Sequence, residues 1–597
     1  MASRQRGLVK KRTTWLFLLF SLLYVAVAGR LVYLQVIKRD YYKAKAERVR
    51  ERTYPVRATR GTIYDRNGRA LAVNIDTASV FANTRDIRDI SKTSVRVAAL
   101  LDQDTNVIEE KLNGTRHFVW LGRQLDARIG DRIWNERNKL PGVGMQRDTK
   151  RIYPAGALAA QIVGFTNYEN QGAEGLERVL NSQLQGKNGK FTAELDSERR
   201  VIPETRHVLK NAEDGRDVYL TIDMTIQHIT EQALAELAEK YHPRSACAVV
   251  MDPRTGEILA IANYPTYDPN NARKTKSALW RNRAVADLYE PGSTLKTVTA
   301  AAALNEGISP YQVIAHCTGR EKIAGGRVSC TLHHPFQNGH GGVDMLKMIQ
   351  QSCNIGAAHL ALRLGAKKLY SYEKAFGLLD KPHAGFGCEA VGYMDKPDQW
   401  RPIRLANIGF GQGMAVTPLQ MTGVYATIAN GGVRVEPQIV REIKNRDGTT
   451  FRAFKPGKAT RVISKDAAMS TMRLLKSCVD VGTGKPGKID GRTVAGKTGS
   501  AQVAKENGRG YENGTFIASF MGFAPVMSPR LVIAVVVNRP QGSHWGATVA
   551  APVFREIGEK SLWYLKVPSD TPSNEEMRRQ ENERKRLADR SIKGFAG

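Results

Sequence analysis

The sequence predicts an α+β protein with a single N-terminal transmembrane helix, an elongated mixed domain and a second domain in which helices flank an antiparallel sheet. Three observations predict this organisation. An uncharged apolar run lies near the N-terminus, strand pairs with tight turns recur in the second half, and a long helical stretch separates those pairs. Helices packed on an antiparallel sheet bury the apolar faces of both. At 597 residues the chain is too long for one compact domain.

The N-terminal region predicts a membrane anchor. Five basic side chains within residues 1–12 precede an uncharged apolar stretch over residues 13–29, and the apolar character resumes over residues 31–37, after Arg30. A helix needs about 20 apolar residues to cross the hydrocarbon layer, and an arginine near its end can extend to the interface. Residues 13–37 are therefore the predicted span. The positive cluster predicts a cytoplasmic N-terminus, with the chain from residue 38 onward outside an inner or plasma membrane.

A cleaved signal peptide is an alternative, since Ala26-Val27-Ala28 has the small-x-small form of a cleavage site. Both alternatives export the rest of the chain. The formal charge of +31, from 89 Lys and Arg against 58 Asp and Glu, indicates an anionic neighbour. Because the chain is exported, we expect the membrane surface or the cell wall to be that neighbour, and not nucleic acid.

Two regions and a tail follow the anchor. In residues 38–216, Arg60–Ala72 has the pattern of a strand, an Asn-Gly turn and a strand, and Gly172–Glu177 precedes a helical run. Residues 568–597 are charged and almost free of large apolar side chains, which predicts a disordered or loosely helical tail. Between them, residues 217–567 hold two predicted hairpins and flanking helices: strands 246–252 with 257–263 and 516–524 with 531–537, helix 224–241, and a final helix from about 547 to 564.

The first chemical motif is Pro291-Gly292-Ser293-Thr294-Leu295-Lys296. Pro and Gly before a strong helix former place Ser293 near a helix N-terminus, where free N–H groups favour a developing oxyanion. Residues three apart on a helix share a face, so Lys296 can reach the Ser293 hydroxyl. Lysine can take the serine proton only if burial or a nearby cation lowers its pKa. A solvated helix can show the same pattern, so this motif alone does not establish catalysis.

Two further motifs follow in the same region. Ser352-Cys353-Asn354 lies between two predicted helices and presents a hydroxyl and an amide on one side, although Ser and Asn are also ordinary helix caps. Residues 497–502, Lys-Thr-Gly-Ser-Ala-Gln, predict an edge strand that carries a cation and hydroxyls. Gly499 in that strand would let a ligand approach the backbone closely.

The third motif also matches a different class of site. Residues 491–498 fit the P-loop pattern G-x-x-x-x-G-K-[ST] in full, which would indicate a nucleoside triphosphatase. A P-loop requires a helix after the loop, but residues 506–510, Glu-Asn-Gly-Arg-Gly, cannot sustain one. The site would also lie outside the membrane, where nucleoside triphosphates are scarce. We therefore favour the edge strand.

The three motifs, in this order within one exported domain, resemble the signature set of penicillin-binding proteins and serine β-lactamases. The resemblance to class B penicillin-binding proteins covers nearly the whole chain. Arg60–Ala72 and Gly172–Glu177 resemble motifs of their pedestal (dimerisation-type) domain, which would be residues 38–216. Gly409–Gly413, with Thr417–Met421, is similar to a segment of their transpeptidase domain, which would be residues 217–567. Asn354, where the elongation branch has Asp, favours the division or sporulation branch.

The resemblance implies a membrane-anchored serine D,D-transpeptidase that cross-links peptidoglycan stem peptides and is covalently inhibited by β-lactams. Ser293 would be the nucleophile and Lys296 its base. Ser352 would relay a proton to the leaving group, and Asn354 would contact the substrate and Lys296. Lys497 would supply positive potential that keeps Lys296 neutral.

The same resemblance implies a substrate-binding strand of Thr498, Gly499 and Ser500, with the two hydroxyls on the terminal carboxylate. The backbone N–H groups of Ser293 and Ser500 would form the oxyanion hole. Acyl transfer of this kind needs no metal and no cofactor. The implied partners are a membrane-embedded SEDS-type glycan polymerase and other cell-wall machinery. Three alternatives are a secreted β-lactamase, a non-catalytic division scaffold and a β-lactam sensor. The predicted anchor argues against the first, and the complete motif set argues against the second. The short N-terminus argues against the sensor.

The six cysteines are too few for a disulfide-dense scaffold, and none forms a C-x-x-C pair that would indicate zinc. Related proteins have cysteines at places similar to Cys317, Cys330 and Cys353, and the exported compartment permits disulfides. A Cys330–Cys353 bond, or a Cys317–Cys330 bond, is therefore a hypothesis. The alternative is three small buried residues that never meet.

Overall fold

The computed structural model describes residues 2–194, 202–330, 339–455, 457, 459–505 and 510–572. It combines α-helices and β-sheets, as the sequence predicts, and divides into two compact units. The first unit contains residues 1–59 and 186–215, and the second contains residues 60–185 and 216–597. Most of the predicted tail, residues 573–597, lies outside the described residues.

The first unit begins with helix Ala2–Val32, a wide π-helical turn Tyr33–Ile37 and helix Arg39–Arg50. Within it, Gly7–Ile37 is long and apolar enough to cross a membrane, and this stretch contains the predicted span 13–37. The unit also has a three-stranded antiparallel sheet, whose strands in spatial order are Glu51–Val56, Gly189–Glu194 and His207–Lys210.

A seven-stranded sheet in the second unit joins the two predicted domains. The hairpin predicted at residues 60–72 forms strands Ile63–Tyr64 and Ala70–Asn83. Asp217–Leu220 pairs in parallel with Ile63–Tyr64, so the predicted boundary at residue 216 falls next to a strand of this sheet. The other strands are Phe118–Asp126, Val143–Ile152, Val440–Lys444 and Thr450–Ala453. Helices Ile90–Leu101, Thr105–Leu112 and Ala127–Glu136 bury apolar side chains against Val80 and Ala82 of this sheet.

A smaller group of elements lies between this sheet and residue 185. It comprises strands Phe165–Thr166 and Gly172–Glu174 and helices Ala160–Val163, Gly175–Val179 and Asn181–Leu184. The last two helices are the helical run predicted after Gly172–Glu177.

A five-stranded antiparallel sheet lies at the centre of residues 217–567. In spatial order its strands are Ile258–Tyr264, Ser245–Met251, Leu531–Asn538, Tyr511–Ala524 and Ala495–Ala504. Successive side chains of a strand point to opposite faces. Ala246, Ala248 and Val250 accordingly pack towards helices Met224–Tyr241 and Ala551–Tyr564, whereas Cys247 and Val249 face the larger helical core.

The larger core is formed by helices between residues 283 and 480, among them Lys296–Asn305 and Pro418–Ala429, which are almost entirely buried. The others are Arg283–Ala286, Met345–Gln350, Asn354–Leu364, Ala366–Ala375, Pro402–Ile408 and Lys465–Asp480. Short antiparallel strand pairs accompany them: Ala315–Cys317 with Gly341–Val343, Arg320–Ile323 with Gly326–Ser329, and Val433–Arg434 with Thr460–Arg461. A short helix, Gly546–Val549, precedes the last helix.

The edge strand predicted at residues 497–502 is confirmed. Gly496, Lys497 and Thr498 pair with Gly522, Met521 and Phe520 of the adjacent strand. The backbone is therefore extended where a P-loop would curve and enter a helix, and the P-loop alternative is wrong.

Candidate active site

A tight turn places Ser293 at the start of the helix that carries Lys296. Gly292 has φ of +55°, a left-handed conformation that favours glycine, and a 3₁₀ turn Gly292–Leu295 leads directly into helix Lys296–Asn305. Both side chains are buried, with Ser293 7% and Lys296 0% exposed. Lys296 reaches the Ser293 hydroxyl, as the three-residue spacing predicts, with Nζ 3.0 Å from Ser293 Oγ.

Lys296 Nζ is surrounded by oxygen atoms. It lies 2.6 Å from the Ser352 carbonyl oxygen, 2.6 Å from Asn354 Oδ1 and 3.3 Å from Ser352 Oγ. A neutral amine has two N–H donors and one lone pair. If the two shortest contacts take the two N–H groups, the lone pair remains for the Ser293 hydroxyl proton. The site can therefore hold lysine as an acceptor of that proton.

The protonation state of Lys296 is set by its surroundings. Burial, and then the positive charge of Lys497, lower the pKa of the Lys296 ammonium from 10.5 to about 7. Lys497 is itself fully buried, which also lowers its pKa. A substantial fraction of Lys296 is thus neutral near pH 7, as a general base requires.

The Ser352–Asn354 segment lies on the opposite side of Lys296. Ser352 has φ of +57°, so this turn holds a non-glycine residue in the left-handed region. Cys353 is the N-cap of helix Asn354–Leu364, and Asn354 Nδ2 donates to the Ser329 carbonyl oxygen at 2.9 Å. The helix is therefore capped by Cys353 and not by Ser352 or Asn354, and Asn354 instead contacts Lys296 through its Oδ1.

The edge strand packs against the turn that carries Ser293. A Cβ on Gly499 would lie 2.3 Å from Ser519 Oγ and 3.0 Å from Thr294 Cγ2, so glycine is needed here for packing between protein segments. Lys497 Nζ donates to the Thr498 carbonyl oxygen at 3.1 Å.

The two hydroxyls of the edge strand are held from its flanks. Thr498 Oγ1 lies 3.0 Å from Thr483 Oγ1, and Ser500 Oγ accepts from the Gly546 N–H at 3.1 Å. The structure therefore brings all three motifs to one place.

Supporting residues around the turn were not predicted as site residues. Gly292 N–H donates to the Gly411 carbonyl oxygen at 2.9 Å, and Thr299 Oγ1 donates to the Gly409 carbonyl oxygen at 2.8 Å. Tyr425 OH donates to the Thr294 carbonyl oxygen at 3.1 Å. The glycine-rich segment at 409–413 was noted only as a resemblance, and its contacts hold the turn that carries Ser293.

A group of sulfur and nitrogen atoms lies beside the Ser352–Asn354 turn. Cys330 Sγ and Cys353 Sγ are 3.6 Å apart, both as free thiols, and the proposed Cys330–Cys353 and Cys317–Cys330 disulfides stay predictions. His340, which the sequence did not single out, has Nδ1 3.3 Å from Cys317 Sγ. Among the described residues, these three cysteines and one histidine form a group that could hold a metal ion.

Two family models match successive parts of the chain. Residues 246–559 match the penicillin-binding protein transpeptidase domain. Residues 55–220 match the penicillin-binding protein dimerisation domain.

Comparisons with individual proteins cover almost the whole chain. It is 31% identical to the probable peptidoglycan D,D-transpeptidase PenA of Neisseria gonorrhoeae, over 94% of each chain. It is 34% identical to the stage V sporulation protein D of Bacillus subtilis, over 93% of this chain and 86% of the relative. The peptidoglycan D,D-transpeptidase FtsI of Escherichia coli K12 is 30% identical, over 91% of each. The crystal structure of penicillin-binding protein 3 of Mycobacterium tuberculosis with aztreonam is similar with a TM-score of 0.68 at 27% identity, over 87% of this chain and 99% of that chain.

Proposed function

This chain belongs to the penicillin-binding peptidoglycan D,D-transpeptidases. We propose that it cross-links stem peptides through an acyl-enzyme on Ser293 and that β-lactams inhibit it covalently. The observation that carries the proposal is the position of Lys296 Nζ. It contacts the Ser293 hydroxyl, the Ser352 carbonyl and the Asn354 amide at the same time. Such an arrangement activates a serine without a histidine.

In the first half-reaction Ser293 Oγ attacks the carbonyl carbon of the penultimate D-Ala, and its proton passes to neutral Lys296. The backbone N–H groups of Ser293 and Ser500 would stabilise the oxyanion. The C–N bond to the terminal D-Ala then breaks, and Ser352 relays the proton from Lys296 to the leaving amine. The ester on Ser293 and one free D-Ala are the products.

In the second half-reaction an amine of a neighbouring stem peptide attacks the ester carbonyl. Its proton returns through Lys296 to Ser293 Oγ, and a new peptide bond joins the two stems. Thr498 and Ser500 would hold the carboxylate of the donor peptide beside the buried charge of Lys497. No net proton or electron is left on the enzyme, and the scheme is a ping-pong acyl transfer.

A β-lactam should also acylate Ser293, through opening of its ring C–N bond, and remain attached, because the acyl-enzyme reacts with an amine and not with water. We expect peptide mass spectrometry of the penicillin-labelled protein to locate the adduct on Ser293. Ser293→Ala should abolish labelling, whereas Ser371→Ala, an exposed helix position, should label like the wild type. An adduct at another residue, or labelling of Ser293→Ala, would overturn the assignment.

Lys296→Ala tests the base separately. Since general-base catalysis typically contributes about 10²–10⁴-fold, acylation of this variant should slow by that range. A variant that folds like the wild type and labels at the wild-type rate would contradict the role.

We also propose a biological setting for the chain, which the named relatives support. Proteins named for division and for sporulation are among those that the chain resembles over most of its length. We place it in that branch, with a cytoplasmic N-terminus, a single membrane span and a SEDS-type polymerase as partner. Co-purification with such a polymerase from membranes, retained by Ser293→Ala and lost when the span is exchanged for an unrelated one, tests the partner.

A further inference from the structure

Three cysteines and a histidine converge beside the Ser352–Asn354 turn. The side chains come from four separate chain positions that short strands and a helix bring together, and their ligand atoms all lie within 4.8 Å of one another. They are Cys317 at the end of a strand, Cys330 after a hairpin, His340 before a strand and Cys353 at a helix N-cap. The three cysteines are buried, and His340 is partly buried.

Two of the separations fit the edges of a coordination tetrahedron, and the whole group lies within 4.8 Å. Zn–S bonds of about 2.3 Å and Zn–N bonds of about 2.0 Å place two sulfurs about 3.8 Å apart and a sulfur and a nitrogen about 3.5 Å apart. Cys330 Sγ and Cys353 Sγ are 3.6 Å apart, and Cys317 Sγ and His340 Nδ1 are 3.3 Å apart. A disulfide would instead require sulfurs at about 2.05 Å.

The backbone around the group favours thiolates. Cys330 Sγ accepts from the N–H groups of Asn354 at 3.1 Å and Ile355 at 3.4 Å, and Cys353 Sγ accepts from Gly356 N–H at 3.3 Å. These three donors form the first turn of helix Asn354–Leu364, whose positive dipole end stabilises negative sulfur.

We propose that Cys317, Cys330, His340 and Cys353 bind one Zn²⁺ in a closed, tetrahedral Cys₃His site with a structural role. Three thiolates and one imidazole are a ligand set typical of structural zinc. On binding, the three thiols release their protons to solvent and four metal–ligand bonds form. The ligands are separated by 12, 9 and 12 residues, which is why the sequence does not show a C-x-x-C signature.

The site would also position groups around Lys296, a consequence that rests on the proposed function. Cys353 lies between Ser352 and Asn354, which both contact Lys296 Nζ. Asn354 Nδ2 also donates to the carbonyl of Ser329, the neighbour of Cys330. A metal joining these segments would restrict the carbonyl and the amide that orient the lysine, so the four ligands are positioning residues.

The metal is tested on the full-length chain purified in detergent under reducing conditions. We expect one equivalent of zinc by elemental analysis. Co²⁺ added after chelation should give thiolate-to-metal charge transfer and the intense visible bands of a tetrahedral site. Cys317→Ser and His340→Ala should each weaken metal affinity by at least about 10-fold, the lower bound for loss of even an outer-shell partner. Cys388→Ser removes an exposed cysteine outside the group and should bind like the wild type.

Wild-type protein that binds neither zinc nor Co²⁺ would overturn the proposal, as would equal loss of metal in Cys388→Ser. A Cys330–Cys353 disulfide in place of metal, detected by mass spectrometry of protein from cells, would also overturn it. These readouts do not depend on whether the variants remain active, and the wild-type cobalt spectrum does not depend on whether a variant folds.

Penicillin labelling tests the positioning role. Chelation should slow acylation of Ser293, and added Zn²⁺ should restore the rate. Metal binding with an unchanged rate would contradict the positioning role alone. Metal binding without any adduct on Ser293 would contradict the proposed function and leave the zinc site standing.

Discussion

At the scale of single residues, the proposed mechanism depends on the transfer of one proton from Ser293 to Lys296. Lys296 must be neutral to accept the proton of Ser293, and its pKa is lowered to about 7 by burial and by Lys497. The ammonium form dominates below that pH and cannot act as the base. The hydrogen-bonding oxygens of Ser352 and Asn354 orient the lone pair of Lys296. Burial and the charge of Lys497 set the fraction of Lys296 that is neutral.

The first prediction is a pH dependence of acylation. The rate of penicillin labelling should rise with pH through about 7 and level off above it, because the neutral fraction of Lys296 rises. Lys497→Met removes a positive charge that lowers this pKa, so the midpoint should move to higher pH. Labelling rates across a pH series for both proteins provide the measurement. A midpoint unchanged in Lys497→Met would show that burial alone sets the Lys296 pKa.

The second prediction concerns Gly411, which has φ of +88° and supports the turn that carries Ser293. A Cβ at this position would lie 2.0 Å from the Gly292 carbonyl oxygen. Gly411→Ala should therefore displace the turn and reduce acylation by at least an order of magnitude, or lower the unfolding temperature by several degrees. Gly423→Ala is the matched control, since nothing lies within 4 Å of its Cβ and its helical φ accepts alanine. Equal behaviour of the two variants in labelling and thermal unfolding would contradict the packing argument.

The sequence predicts the chemical residues better than the residues that support them. Ser293, Lys296 and Lys497 are recognisable by residue type, spacing and order. Gly411 and Tyr425 act through contacts with a turn more than 100 residues away, and no local pattern encodes such a contact. His340 was missed for the same reason, because its neighbours in space are distant in sequence.

At the scale of elements, a buried ion cluster connects the two segments that resemble pedestal motifs. Glu177 Oε2 accepts from Arg60 Nε at 2.7 Å, and Glu177 Oε1 accepts from Arg151 Nε at 2.6 Å. Arg60 also donates to the Asn181 side chain at 2.7 Å. One carboxylate thus ties the residue before the first hairpin to a long strand and to the helical run after Gly172.

The third prediction follows from this cluster. Glu177→Gln leaves two buried guanidinium groups without their carboxylate, and removal of one partner of a buried pair typically costs about 3–5 kcal/mol. We expect the free energy of unfolding to fall by that amount in denaturant titration. Glu169→Gln breaks the exposed pair with Arg123 and should cost less than about 1 kcal/mol. Similar losses in both variants would contradict the importance of burial.

The helices and strands with a clear hydrophobic periodicity were predicted from the sequence, but the pairings between distant strands were not. Helix Met224–Tyr241 and both hairpins have the predicted bounds to within a few residues. The seven-stranded sheet depends on the two-residue strand Ile63–Tyr64 between Asp217–Leu220 and Ala70–Asn83. A strand of two residues has too short a pattern to reveal its neighbours, so the sharing of one sheet by both domains could not be predicted.

At the scale of the whole molecule, the fourth prediction is the topology. Full-length protein should sediment with membranes, and residues from 38 onward should be open to protease added from outside. A chain without residues 1–37, exported by a cleavable signal, should be recovered in the soluble fraction. A mature N-terminus at Gly29 would instead identify the apolar helix as a signal peptide.

The central sheet has a consequence for when the enzyme becomes active. Its strand Ser245–Met251 pairs with Leu531–Asn538, nearly 300 residues later, and Ala495–Ala504 joins the sheet only through Tyr511–Ala524. Pairing between such distant segments forms late, because a long loop must close first. In the proposed topology, Ser293 leaves the cytoplasm long before the strand that carries Lys497. Under the proposed mechanism, a partly exported chain has the nucleophile but lacks the cation that lowers the pKa of the base, so acylation should not begin until nearly the whole chain has crossed.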